Sequence, residues 1–171
     1  AALHIRQSLA RTESLTTIAR GQGRLIRSRL LGVQIIQADR SLGGRLQVPP
    51  GTPIFEVQRV REQGDEPIIF HKSYYPVTLF PELDQADLAS GSMYQLMEEE
   101  YGMRALEQEH VMQLALATDF EAGVLHTKPH AALFLVTITT YTAGKRPIEV
   151  VKVLYRGDRC QFTVPPHRVE L

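Results

Sequence analysis

Cysteine is nearly absent from this 171-residue chain. The single one, Cys160, rules out an internal disulfide and suits a reducing, cytoplasmic compartment. Long apolar runs are missing as well: none approaches the roughly 18 residues a membrane helix needs, so no membrane span is expected. Neither sign of charge is in excess, since nineteen basic residues balance nineteen acidic ones. Nucleic-acid binders rely on a basic field that this chain lacks, so it is not expected to bind DNA by itself. Arg24, Arg27 and Arg29 form a small basic patch, but no aromatic residues interleave it, and they read as exposed strand residues. No Gly-x-Ser-x-Gly elbow or phosphate-cradling glycine loop occurs, and no acid and base stand paired at a useful spacing. Of His4, His71, His110, His126, His130 and His167, only His126 and His130 have helical ligand spacing. Pro129 between them disfavours a continuing helix, so neither a metal site nor a cofactor is expected. The opening Ala-Ala-Leu, without methionine or a signal-peptide pattern, suits a segment of a longer polypeptide and equally a processed start.

What is present suits one domain with a real core: the length is short for two, and 43% of residues are hydrophobic. The informative stretch runs from Ile54 to Pro76. Two arms rich in β-branched and aromatic residues flank the turn signal Gly64-Asp65, which predicts a β-hairpin. Side chains alternate along a strand, so Phe55, Val57, Arg59 and Arg61 share a face that begins apolar and ends in two arginines. Guanidinium groups leaning toward an interior need partners. Two of them about 7 Å apart suit a bound anion. The alternatives are a wet sheet edge, or pairing with Glu107, Glu109 or Glu149.

Residues 1–12 are weakly patterned and read as tail or linker, and Thr12-Glu13-Ser14 could cap a short helix through Ile18. Leu25 to Ala38 reads as a strand bulged at Gly32, Asp39 to Leu46 as a short helical turn, and Pro49 to Pro53 as a rigid loop. Ser92 to Tyr101 is the clearest helix. Ser92 and Gln95 form a capping-box pattern, Met93, Leu96, Met97 and Tyr101 make an apolar stripe, and Gly102 closes it. Glu98, Glu99 and Glu100 read as its solvated face. Residues 104–117 are strand-like, and Thr118 to Glu121 is a second capping box opening a helix to about His126. Ala131 to Thr142, Pro147 to Arg156 and Arg159 to Val164 read as successive strands of antiparallel hairpins, with Cys160 in the core. The predicted class is α+β, a mostly antiparallel sheet with helices mostly on one face.

The anion reading extends to Ser92, because a helix N-terminus presents free N–H groups and partial positive charge. Tyr94 in the first turn could add a phenolic donor. His71 comes from the second hairpin arm. It shares the Arg59 face only if the connection has an odd count, which the sequence leaves open.

Several stretches, in order, resemble one family. They are Arg59-Val60-Arg61, Gly64-Asp65-Glu66-Pro67-Ile68, Ser73-Tyr74-Tyr75-Pro76, Leu79-Phe80-Pro81, Ser92-Met93-Tyr94 with Tyr101-Gly102, and Arg146-Pro147-Ile148-Glu149 with Tyr155-Arg156-Gly157-Asp158-Arg159 and Phe162. The family is the UTRA (UbiC transcription regulator-associated) domain of GntR-type, HutC-subfamily bacterial regulators, and the likeness covers about residues 13 to 166. It implies a chorismate-lyase-like fold over 13–171 that senses a small anionic effector, a homodimer, and operator DNA bound only by an N-terminal winged helix-turn-helix that is absent here. It also implies ligand contacts from Arg59, Arg61, Ser92, Tyr94 and Glu149. His71 stands where the family usually has Glu, which leaves the effector open among sugar phosphates, phosphonates and carboxylates. An enzyme of the same fold acting on chorismate, or a dimerisation module with a vestigial pocket, are the competing readings.

Overall fold

The computed structural model describes residues 5–8, 26–89, 92–166 and 168–169. In chain order the elements are β1 (Ile5–Ser8), β2 (Ile26–Gln37), α1 (Arg40–Leu46), β3 (Pro53–Gln63), β4 (Glu66–Pro76) and α2 (Met93–Tyr101). They continue with β5 (Glu107–Leu116), α3 (Asp119–Val124), β6 (Ala132–Thr142), β7 (Arg146–Arg156) and β8 (Cys160–Thr163). Six strands form one sheet in the order β2-β3-β4-β7-β6-β5, every neighbouring pair antiparallel. This is the α+β architecture predicted. No helix among the described residues is long and apolar enough to cross a membrane.

Local chemistry explains most element boundaries. Asp39 caps α1 through the Leu42 N–H at 2.7 Å, and Thr118 and Glu121 form the reciprocal capping box of α3. The β2 bulge falls between Leu30 and Gly32, as expected. Pro67 and Pro147 sit beside register shifts, the positions at which a sheet tolerates a residue without an N–H. The predicted Thr12–Ile18 helix lies outside the described residues.

The sheet has two differently covered faces. On the back, Leu42 and Leu46 of α1 pack with Ile54, Tyr74 and Val150, while Ala122 of α3 packs with Phe70, Leu133 and Leu154. The front carries Phe55, Val57 and Tyr75. Phe80, Leu83 and the α2 residues Met93, Leu96, Met97 and Tyr101 pack over them. Among the described residues, two of the three α-helices thus share the back, and α2 covers the front. Phe80 and Met97 are fully buried there, each contributing about 1.5–3 kcal/mol by leaving water.

Two expectations are corrected. Within the stretch read as tail or linker, Ile5–Ser8 is a strand. The last strand is not a further antiparallel hairpin arm: β8 leaves the sheet and pairs with β1 in parallel. The turn before it explains the departure. Arg156 grips both carboxylate oxygens of Asp158, at 3.0 and 2.8 Å, and shares Glu66 with Arg159. A Cβ at Gly157 would lie 2.8 Å from the Ala132 carbonyl, so the chain presses close against β6 before turning away. β8 then crosses the front face, where Phe162 stacks edge-on to Phe134 and Tyr155 and Cys160 is buried, as expected, beside Ile69 and Val153.

Candidate functional site

The hairpin register decides what the front face displays. β3 and β4 are joined by the two residues Gly64 and Asp65, with Gln63 opposite Glu66 and Glu62 opposite Pro67. Such an even connection alone would put His71 on the back. The register then shifts: Arg61 pairs with Ile69, so Ile68 is the extra residue. Every later β4 side chain changes face, and His71 falls directly opposite Arg59. Arg59, Arg61 and His71 are therefore neighbours on the front, beside Val57 and Phe55.

β3 lies between β2 and β4, so its arginines are not at a sheet edge. Nor are they paired with the acidic residues considered from the sequence. Glu109 lies 3.6 Å from Arg45. Glu149 accepts from Tyr75 Oη at 2.7 Å and from Thr140 Oγ1 at 2.8 Å. No ion pair reaches Arg59 or Arg61 among the described residues. The Nε atoms of both arginines and Nε2 of His71 are enclosed and have no hydrogen-bond partner. Unmade buried hydrogen bonds cost about 1–3 kcal/mol each, so such a cluster calls for an explanation. Burial, and then the Arg59 charge, hold the Arg61 pKa below its ordinary value. Burial, then Arg61 and Arg59, push His71 down to about 3, so its ring is neutral near pH 7.

α2 brings its N-terminus to the same place. Ser92 is the N-cap residue, but its side chain makes no capping hydrogen bond. The expected Ser92–Gln95 box does not form because the Gln95 amide instead reaches the Glu99 carboxylate one turn on, at 2.9 Å. The Ser92 hydroxyl is thus not spent on the helix. Arg59, Ser92 and Gln95 line a cavity of about 150 Å³, with Asp87, Met93 and Glu99 around it. Ser92 and Gln95 also line a larger cavity of about 560 Å³ beside Tyr94, Arg104 and Gln108. Arg59 and Tyr94 therefore flank the first turn of α2 from different cavities. The Arg59 guanidinium and a helix N-terminus line this small cavity, Arg61 is the next residue on the same face of β3, and such a set is chemically suited to an anion.

Glu149 is on the front as expected, but it is only 2% exposed and both its oxygens are engaged. Burial raises its pKa, against the hydroxyls of Tyr75, Thr140 and Tyr94 and the Arg59 charge. The phenols of Tyr75 and Tyr94 are raised too, first by burial and then by Glu149. Tyr94 is 41% exposed as a residue, but its hydroxyl points inward and accepts from Gln108 Nε2. Tyr75, Thr140, Gln108 and Gln63, whose Oε1 is also enclosed without a partner, were not singled out by sequence reasoning. For Gln63 the alternation that selected Arg59 and Arg61 was a usable signal, since it lies on the same face. The six residues proposed from the sequence thus share one face and one helix end. His126 and His130 occupy the loop after α3, both at positive φ.

The UTRA domain model matches residues 21–161. Among characterised proteins, the repressor NagR of Bacillus subtilis is 29% identical over 91% of this chain and 64% of its own length. The chain spans about two thirds of the length of the relatives it matches. Among solved structures, the effector domain of PhnF from Mycobacterium smegmatis superposes with a TM-score of 0.85 at 27% identity, covering 96% of this chain and all 100% of that one. The C-terminal domain of YurK from Bacillus subtilis gives 0.77 at 26% identity over 80% of this chain and 93% of the other. With most of its length matched by the family model, the chain belongs to the UTRA domain family.

Proposed function

We propose that this chain is the effector-sensing part of a cytoplasmic, DNA-binding transcriptional regulator and binds a small anionic metabolite through Arg59, Arg61, Ser92 and Tyr94. The observation that carries the reading is the enclosed, unpartnered cluster of Arg59 Nε, Arg61 Nε and His71 Nε2 beside the uncapped α2 N-terminus. A sugar phosphate, phosphonate or carboxylate would supply the missing acceptors. His71 meets the rest of the ligand as a neutral ring, and Glu149 acts on it through the Tyr75 and Thr140 hydroxyls it holds. The relatives are DNA-binding repressors with a separate effector domain, which supports operator binding by an N-terminal domain lying outside this sequence. A homodimer suits the symmetric operators such domains read.

The effector acts on DNA binding only as far as its affinities for the two placements of the DNA-binding halves differ. In the full-length regulator, Arg59→Ala should abolish the effector response and leave operator affinity intact, with the protein sedimenting as a dimer throughout. An effector response of wild-type size in that variant would refute the reading.

A further inference from the structure

Gln108 on β5 touches the site through hydrogen bonds whose directions can be worked out one after another. They begin at Glu149. Tyr75 Oη and Thr140 Oγ1 donate to its two carboxylate oxygens. The Thr140 proton is then committed, and its oxygen can only accept from Gln108 Nε2, which lies at 3.2 Å. A flipped amide would set Gln108 Oε1 against the Thr140 oxygen with no proton between them. The other end of the amide fits this orientation: Oε1 lies 3.2 Å from His110 Nε2. The second N–H of the same amide is donated to Tyr94 Oη. Tyr94 therefore accepts from Gln108 and keeps its own proton for another partner.

We propose that Gln108 is a positioning residue: it fixes the Tyr94 hydroxyl as a hydrogen-bond donor toward the ligand site. This rests on the anion-site reading above. In the chain without ligand the Tyr94 phenol meets Glu149 and Thr140 as well as Gln108, and the Arg59 charge also acts on Glu149. An anion held at Arg59 enters that same neighbourhood and takes the proton's hydrogen bond. Without Gln108, the phenol is free to turn over and spend its proton on water in the larger cavity. Thr140 and Gln108 also connect Glu149, deep in the sheet, to the first turn of α2, so one side of that turn is held by β5 and the other faces Arg59.

The test uses the 171-residue chain with tyrosine carrying ¹³C at Cζ, whose resonance reports hydrogen bonding at the phenol oxygen; Tyr94→Phe identifies the Tyr94 signal. Gln108→Leu should shift that signal without ligand. Titration with inorganic phosphate then supplies the ligand arm. Tyr94→Phe and Gln108→Glu, which keeps the shape and reverses the polarity of the amide nitrogen, should each weaken phosphate binding about tenfold. The double variant should be no weaker than either alone. An unmoved Tyr94 signal in Gln108→Leu, or losses that add to about a hundredfold in the double variant, would overturn the Gln108 assignment alone. Phosphate affinity unchanged by Arg59→Ala would instead overturn the site reading, and the ligand role of Gln108 with it.

Discussion

His71 shows what a single residue can and cannot reveal in advance. Alternation along β3 is enough to put Arg59 and Arg61 on one face with Phe55 and Val57. Whether His71 joins them depends on the one extra residue at Ile68, and nothing in the local composition marks that bulge. Its burial has a measurable consequence. The folded ring refuses a proton down to about pH 3, while the unfolded ring accepts one near the ordinary 6.5. The unfolded state therefore binds more protons between these values. The contribution of the neutral ring to stability is complete above pH 6.5 and is lost as pH falls from there toward 3, with a slope of at most about 1.4 kcal/mol per pH unit. Urea unfolding of wild type should lose more stability between about pH 6.5 and 4.5 than unfolding of His71→Gln. Equal losses in the two proteins would mean that the ring is not held neutral.

Elements were legible wherever their signals are local. The hairpin turn, the bulge near Gly32, the short helix after Asp39 and the α3 capping box all follow from a few adjacent residues, and each is found where expected. Two failures share a different cause. The Ser92 box lost to a competing partner, Glu99, one turn further along α2. β8 was taken from the main sheet by contacts distant in sequence, Arg156 with Glu66 and Phe162 with Phe134. Pairing across the sheet is equally remote from local pattern, which is why the row Tyr75, Glu149, Thr140, Gln108 was not visible beforehand. The α3 box itself is testable. Thr118→Ala removes the acceptor for the Glu121 N–H and should cost about 1 kcal/mol. A fall in Tm of roughly 2–4 °C would follow for a domain of this size. No change in Tm would mean that the box contributes nothing to the fold.

At the scale of the whole molecule, one side of the sheet is structural and the other is not finished. The back is closed by α1 and α3, and its buried Glu56 is satisfied by Gln34 and Gln58, both at 2.8 Å. Among the described residues the front keeps four enclosed polar atoms without partners, all on the β3–β4 hairpin and three of them nitrogen. The central claim of the proposed function is that an anion completes this front. The most direct measurement is a thermal-shift panel of anionic metabolites on the 171-residue chain, run beside Arg59→Ala and Arg61→Ala. A ligand at a hundred times its Kd adds about 2.7 kcal/mol, which for this size corresponds to a rise in Tm of roughly 5–10 °C. The account predicts that at least one phosphate, phosphonate or carboxylate raises the Tm of wild type by that much and that both arginine variants lose the rise. A stabilising anion whose effect survives intact in both variants would contradict it.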